Sequence, residues 1–249
     1  MEKENHIALL IDADNSPASK IGTILEELAT FGVTNVRRAY GNWKSQSLKS
    51  WEEVLHEFAI QPVQQFAYTK GKNATDSAMI IDAMDLLYTQ NLDAFCLASS
   101  DSDFTPLVMR IRSNGLKVFG FGEKKTPMPF VNACSRFLYL EQIGLESASG
   151  EGDDGAEQHV RRRTGKDLRN DRKLVTLLRG AVDACEDGDG WASLSELGSH
   201  ISNHTSFDPR NYGYRKLGDL IEAAAVFETE RRGSHLYLRR KRRVRKSAT

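Results

Sequence analysis

Ile7-Ala8-Leu9-Leu10-Ile11-Asp12-Ala13-Asp14-Asn15 is the stretch from which the fold can be read. Residues 7–11 are continuously apolar, the mark of a strand buried on both faces, and such strands belong to parallel sheets covered by helices on each side. Two acids and an amide follow at once, at the carboxyl end of the strand. Working outward, Ser16-Pro17 supplies an N-cap and a first-turn proline, Ile21, Ile24, Leu25 and Leu28 make one helical face, and Gly32 sits where a C-terminal cap belongs. The alternation continues with strands expected at 36–40, 63–67, 94–98, 118–121 and 137–140. Helices are expected at 46–59, with Trp51, Leu55 and Phe58 inward, at 76–90 capped by Thr75, at 103–114 stopped by Gly115, and at 128–136. Strands separated by helices of this length run parallel, so the first domain reads as a three-layer α/β parallel-sheet fold.

Composition narrows the class further. The chain has 249 residues, 40% of them hydrophobic, which is too many for a disordered polypeptide. No run of 18 apolar residues is present, so no transmembrane helix and no membrane partner are expected. Met1 to His6 lead directly into the first strand without a signal peptide. Cys96, Cys134 and Cys185 are odd in number and far apart, so they make neither a disulfide framework nor a metal knuckle. A reducing, cytoplasmic location is expected.

The 34 Lys+Arg and 34 Asp+Glu cancel overall but not locally. Residues 1–145 carry a net −3, residues 146–160 a net −5, and residues 161–249 a net +8. Within the last segment, Arg161-Arg162-Arg163 and the run Arg239-Arg240-Lys241-Arg242-Arg243-Val244-Arg245-Lys246 concentrate positive charge. Such a run repels itself unless a polyanion neutralises it, and phosphate backbones do so while releasing counterions. Residues 147–155, rich in Gly, Ser and Asp, read as a flexible tether. The expected organisation is a domain at 1–145, an acidic-then-basic linker at 146–170, a second domain at 171–240 and a basic tail at 239–249.

Ligands collect at the carboxyl ends of parallel strands, and this rule selects the polar residues that matter. Asp12, Asp14 and Asn15 follow the first strand. Ser99, Ser100, Asp101 and Asp103 follow the fourth. Asp76 opens the third helix after the loop Lys70-Gly71-Lys72-Asn73-Ala74-Thr75. The topology expects all three groups on one edge, within a few ångström, where their mutual repulsion calls for a cation. Hard oxygen ligands suit Mg²⁺ or Mn²⁺, which activate water and stabilise phosphoryl displacement. Asp12 and Asp101 are expected as primary ligands because each ends a strand, Asp76 closes the site, and Asp103 holds a second metal or positions water. Asn15, Ser99 and Ser100 are expected to orient the carboxylates. Asp82, further along the third helix, is a marginal candidate. Lys70 and Lys72 are candidate phosphate contacts, and Tyr40 and Trp43 candidate stacking platforms for an unpaired base.

The motifs Ile11-Asp12-Ala13-Asp14-Asn15, Lys72-Asn73-Ala74-Thr75-Asp76 with the helix after it, and Ala98-Ser99-Ser100-Asp101-Ser102-Asp103-Phe104-Thr105-Pro106-Leu107 followed by Gly115 and Val118-Phe119-Gly120-Phe121-Gly122 resemble the NYN domain, LabA-like branch, over residues 5–143. The resemblance implies a PIN-like nuclease fold, bound Mg²⁺ or Mn²⁺ and RNA cleavage. By motif it makes Asp12, Asp76, Asp101 and Asp103 the metal-binding catalytic acids and matches Asn15 to the family asparagine, with Asp14 a less secure member.

Residues 171–240 have another rhythm. Leu174, Leu177, Leu178, Ala181 and Cys185 share a helical face, Trp191–Leu194 is extended, and Ser195 is expected to cap a helix with Leu197 and Ile201. A helix at 216–224 precedes a hairpin, 226–230 and 235–238, so the pattern is a small winged helix. Tyr212-Gly213-Tyr214-Arg215-Lys216-Leu217, Leu220-Ile221 and the hairpin resemble the OST-HTH or LOTUS domain. That resemblance implies binding of RNA, single-stranded or structured and including G-rich RNA, or docking of a protein, a second copy included. Arg210, Arg215, Lys216, Arg231 and Arg232 are expected to line a backbone-binding face, with Tyr212 available for stacking and Tyr214 either stacking or packed.

Several rivals stand beside the ribonuclease reading. Asp12-x-Asp14 also matches the nucleophile motif of haloacid-dehalogenase-like phosphatases, although their further motifs are missing. A non-catalytic RNA-binding or regulatory adaptor shares every feature of the second domain. Gly120-Phe121-Gly122-Glu123-Lys124-Lys125-Thr126 fails the phosphate-loop spacing and reads as a strand end needing unusual backbone angles. His200 and His204 lack partners for a zinc site.

Overall fold

A computed structural model describes residues 4–65, 74–143 and 162–241. The chain divides into two compact units, residues 1–153 and 154–249. In the first, strands β1 (His6–Asp12), β2 (Val33–Gly41), β3 (Gln61–Gln64), β4 (Ala94–Ala98), β5 (Lys117–Gly122) and β6 (Arg136–Tyr139) form one sheet. Its order is β3-β2-β1-β4-β5-β6, and every neighbouring pair is parallel.

Side chains alternate across the sheet and build two cores. Ile7, Leu9 and Ile11 of β1 face α1 (Ile21–Ala29) and α2 (Trp51–Glu57), packing with Ile24, Leu28 and Trp51. Ala8 and Leu10 face α3 (Ala74–Thr89), α4 (Thr105–Ser113) and α5 (Met128–Ala133), packing with Met79, Leu107 and Phe130. The three-layer α/β expectation therefore holds. At roughly 1.5–3 kcal/mol for each large apolar side chain buried, these two cores are what hold the sheet between its helices.

Local departures have physical causes. β3 begins at Gln61, two residues before the expected start, and takes in Pro62; an edge strand tolerates proline because one side of it needs no ladder donor. Ser16 caps no helix: its hydroxyl donates to the Ala98 carbonyl at 2.9 Å and ties the loop after β1 to β4. Thr75 lies inside α3 rather than at its cap. Gly120 and Gly122 have no positive φ. Space requires glycine there, since a Cβ on Gly122 would lie 2.6 Å from the Ser99 carbonyl oxygen.

In the second unit, α6 (Gly165–Asn170), α7 (Arg172–Cys185), α8 (Leu194–His204) and α9 (Leu217–Ala224) pack with a small sheet in the order β7-β9-β8. Its strands are β7 (Ala192–Ser193), β8 (Phe227–Arg232) and β9 (His235–Arg240). The helices and hairpin match the winged-helix pattern. Residues 165–170, expected in the linker, form α6 instead. A capping box between Thr164 and Asp167 starts it, and Leu168 is fully buried in the core of this unit. The cap of α8 is Ser193, not Ser195: its side chain accepts the Glu196 N–H. The hairpin turns at Gly233-Ser234, with Gly233 at φ 62°.

Candidate metal centre and RNA-facing surfaces

The strand order reverses beside β1. β2 and β3 lie on one side, and the chain then crosses through α3 to β4 on the other. Such a switch point opens a crevice at the carboxyl ends of the two central strands. Asp12 ends β1, and Ser99 and Asp101 follow β4, so the crevice is lined by the residues singled out from sequence.

Asp12 is fully buried. Its Oδ2 accepts hydrogen bonds from Asn15 Nδ2 at 3.0 Å and Ser99 Oγ at 2.9 Å. Its Oδ1 is buried with no hydrogen-bond partner. Burial pushes the Asp12 carboxyl above its ordinary range, Asn15 and Ser99 pull it partly back, and Asp14 raises it further. Ser99 Oγ also accepts the Asp101 N–H at 3.0 Å, so one hydroxyl joins the two strand-end acids. Asp101 Oδ1 in turn accepts the Asp103 N–H at 2.8 Å and caps the short turn at 102–104.

Asp76 reaches the same crevice from the first turn of α3 and is 9% exposed. Burial first, then the fields of Asp12, Asp101, Asp103 and Asp14, push its carboxyl up to about 6. Asp76 thus lies within the field of the acids that follow β1 and β4. Asp14 is exposed, and its Oδ2 accepts from Thr75 Oγ1 at 2.9 Å, a contact between β1's loop and α3 that sequence reading missed. The convergence is nevertheless looser than expected. Among the described residues, no three His, Cys, Asp or Glu side chains form a set that holds a metal ion as placed.

The donor chemistry fits a hard cation all the same. An orphaned, buried carboxylate oxygen is costly unless a positive partner meets it, and raised carboxyls respond to the same partner. Asp12, Asp76, Asp101 and Asp103 offer only oxygen ligands, the set that Mg²⁺ or Mn²⁺ takes.

Other expectations need correction. Ser100 does not orient the acids: its Oγ accepts the Glu123 N–H at 2.9 Å and fixes the loop after β5. Tyr40 is fully buried, with its hydroxyl donating to Asp82, so no base stacks on it. Asp82 also pairs with Arg38, which removes it from the crevice. Trp43 is half-buried, and its Nε1 donates to the Val63 carbonyl at 3.0 Å. Lys70 and Lys72 lie outside the described residues.

In the second unit the expected basic face is partly consumed internally. Arg210 Nε and Nη2 each lie 2.9 Å from the buried Asp208 carboxylate, so this guanidinium is a structural clamp. Arg231 pairs with Glu222 at 3.0 Å and Arg232 with Glu230 at 3.1 Å. Tyr214 is buried, donates to the Arg163 carbonyl at 2.7 Å and lies under the Arg162 guanidinium. Tyr212 packs on Phe207 beneath Arg163. Arg215 and Lys216 are exposed at the start of α9. Sequence reading missed Trp191, buried under Arg239 at 4.5 Å and Arg232 at 5.1 Å.

Fold and crevice together describe a PIN-like nuclease domain joined to a winged helix. Comparison agrees: the NYN domain family matches residues 6–141, and the OST-HTH/LOTUS domain family matches residues 169–238. The chain belongs to the NYN domain family and carries an OST-HTH/LOTUS domain after it. It is 30% identical over 123 residues to an uncharacterised protein of Methanocaldococcus jannaschii, covering 48% of each chain. It thus spans about half the length of that curated relative. Among solved structures, it is similar to a protein of unknown function from Vibrio parahaemolyticus, at 19% identity and TM-score 0.46, over 56% of this chain and 94% of that one. A second, from Nitrosomonas europaea, is 32% identical at TM-score 0.27, over 37% of this chain and 90% of that one.

Proposed function

We propose that the protein is a divalent-metal-dependent ribonuclease that hydrolyses RNA phosphodiester bonds, with its C-terminal domain holding the RNA. One observation carries the reading: Asp12 Oδ1, buried and unpartnered, sits at the switch point, and Asp76 beside it is raised by burial and by the neighbouring acids. Asp12, Asp76, Asp101 and Asp103 would hold Mg²⁺ or Mn²⁺. When bound, the ion lowers the pKa of a water and neutralises charge developing on the scissile phosphate. Ser99 and Asn15 hold the Asp12 carboxylate through Oδ2 and leave Oδ1 for the ion. Ser99 also ties Asp101 to Asp12, holding two ligands in a common frame. Residues 146–161, expected from sequence as part of a linker, lie outside the described residues; acting as a tether they would raise the effective concentration of captured RNA at the crevice. The three cysteines are free, and a cytoplasmic setting remains our proposal for this chain.

The test is a panel of single-stranded RNA, duplex RNA and DNA, incubated with Mn²⁺ or Mg²⁺ and again with EDTA. Shortening of RNA that EDTA stops supports the reading; intact RNA under all conditions rejects it. A second reading, a non-catalytic RNA-binding adaptor, is favoured by the absence, among the described residues, of three acids converged on one point. It expects RNA to be bound and left whole.

A further inference from the structure

A cavity of about 520 Å³ lies beside the acidic crevice, on the far side of β2 from β4. Its apolar wall is Trp43, Leu48, Leu55 and Pro62, drawn from the loop after β2, from α2 and from β3. Lys44, Lys49 and Glu52 also line it, and Lys49 is exposed. A cleft of this size that combines an apolar wall with polar groups and Lys49 suits a planar ring bearing phosphate.

The indole is held ready for such a ring. Trp43 Nε1 donates to the Val63 carbonyl at 3.0 Å, its backbone N–H donates to Gln64 Oε1 at 3.1 Å, and its ring meets Trp51 edge-on at 6.5 Å. A ring already fixed loses little freedom when another stacks on it. Gln64 is occupied too: its Nε2 donates to Asn42 Oδ1 at 3.1 Å and to the Gln65 carbonyl at 2.8 Å. The Gln64 amide is therefore committed, Gln46 also lines the cavity, and the fixed indole supplies the stacking contact.

Position links the cavity to the crevice. Gly41 ends β2 in register with Gln64, the last residue of β3. A Cβ added at Gly41 would lie 2.6 Å from Leu48 Cδ1 and 3.5 Å from Asp14 Oδ1, so the cavity wall and the acidic loop share one glycine. The centre of β3 lies two strand spacings, about 10 Å, from β1. We infer that this cavity takes one unpaired nucleotide, stacked on Trp43 with its phosphate toward Lys49, next to the bond presented to the acids. The inference rests on the ribonuclease reading for its substrate. The same chemistry also describes a free nucleoside monophosphate.

The full chain is tested in EDTA, where hydrolysis cannot interfere, by photo-crosslinking an oligouridylate that contains one 4-thiouridine. The expected adduct falls on the peptide bearing Trp43. It drops at least fivefold in Leu55→Phe, which narrows the slot, and in Lys49→Glu, which reverses an exposed charge. Circular dichroism checks that both variants fold. Competition by uridine monophosphate at oligonucleotide-like concentrations supports the cavity and assigns it to the free nucleotide, whereas competition by oligonucleotide alone supports it and assigns it to RNA. An adduct absent from that peptide, or unchanged in both folded variants, overturns the inference. Parallel assays with Mn²⁺ separate the two readings: cleavage without the adduct removes the cavity alone, and the adduct without cleavage keeps the cavity as a binder's site.

Discussion

Ser99 Oγ donates to Asp12 Oδ2 at 2.9 Å and accepts the Asp101 N–H at 3.0 Å, joining acids that lie 89 positions apart in the chain. This hydroxyl couples the ends of β1 and β4 where the sheet order reverses. Replacing it by Ser99→Ala leaves Asp12 with Asn15 as its donor and more buried charge unpaired. A hydrogen bond to a charged group contributes about 1.5–3 kcal/mol, so metal-free stability should fall by about that amount in urea denaturation. Mn²⁺-dependent cleavage should fall with it, and a variant as active and as stable as the parent would refute the coupling.

Asp101→Asn keeps an oxygen to accept the Asp103 N–H but removes the ligand charge. RNA cleavage with Mn²⁺ should drop by at least about 100-fold, as for loss of one strong electrostatic stabiliser, while thermal unfolding and RNA affinity change little. Undiminished cleavage would move the chemistry elsewhere.

Asp76 predicts an inverted pH response. Its carboxyl is pushed up to about 6 from an ordinary 3.8, so between these values the folded state retains a proton that the unfolded state has released. Linkage then makes the group's contribution decline as pH rises from 4 to 6. In EDTA, Asp76→Asn should be more stable than the parent at pH 7, and the difference should shrink toward pH 4.5 in calorimetry. Added Mn²⁺ should stabilise the parent more than the variant. A gap independent of pH would sink this account.

Tyr40→Phe separates packing from recognition. The hydroxyl donates to Asp82, which also pairs with Arg38, so its loss should cost about 1 kcal/mol of stability. RNA affinity, measured by fluorescence anisotropy, should stay at the parent value, since this ring is fully buried. A marked loss of affinity in the folded variant would restore Tyr40 as an RNA contact.

Truncation after Lys241 removes Arg242, Arg243, Arg245 and Lys246. Arg239 and Arg240 pair with Glu228 and Asp183, and the truncation removes four further cations that lie outside the described residues. The slope of log affinity against log salt for single-stranded RNA should shrink by about 2 to 3. An identical slope would rule the tail out as a phosphate reader.

Reading along the chain was enough for the alternation of strand and helix, because apolar period and capping residues act over a few positions. Ile7–Ile11 alone carries the parallel sheet, and Asp12, Asp101 and Asp76 stand at element ends where local pattern puts them. It failed where the partner of a side chain is chosen across the fold. Tyr40 looked like a stacking platform until α3 brought Asp82 to it, and Ser100 looked like an aid to the acids until β5 placed the Glu123 N–H beside it. Arg210 looked like a phosphate contact, yet a buried carboxylate two residues away claims it.

Which edge of the sheet would hold the acids was thus written in the order of residues. Which oxygen of Asp12 stays unpaired, and which hydroxyl joins it to Asp101, was decided only when distant strands came into register. Hydrophobic periodicity is a property of neighbours along the chain, whereas the pairing of a buried polar group depends on whatever the sheet and helices carry to within three ångström of it.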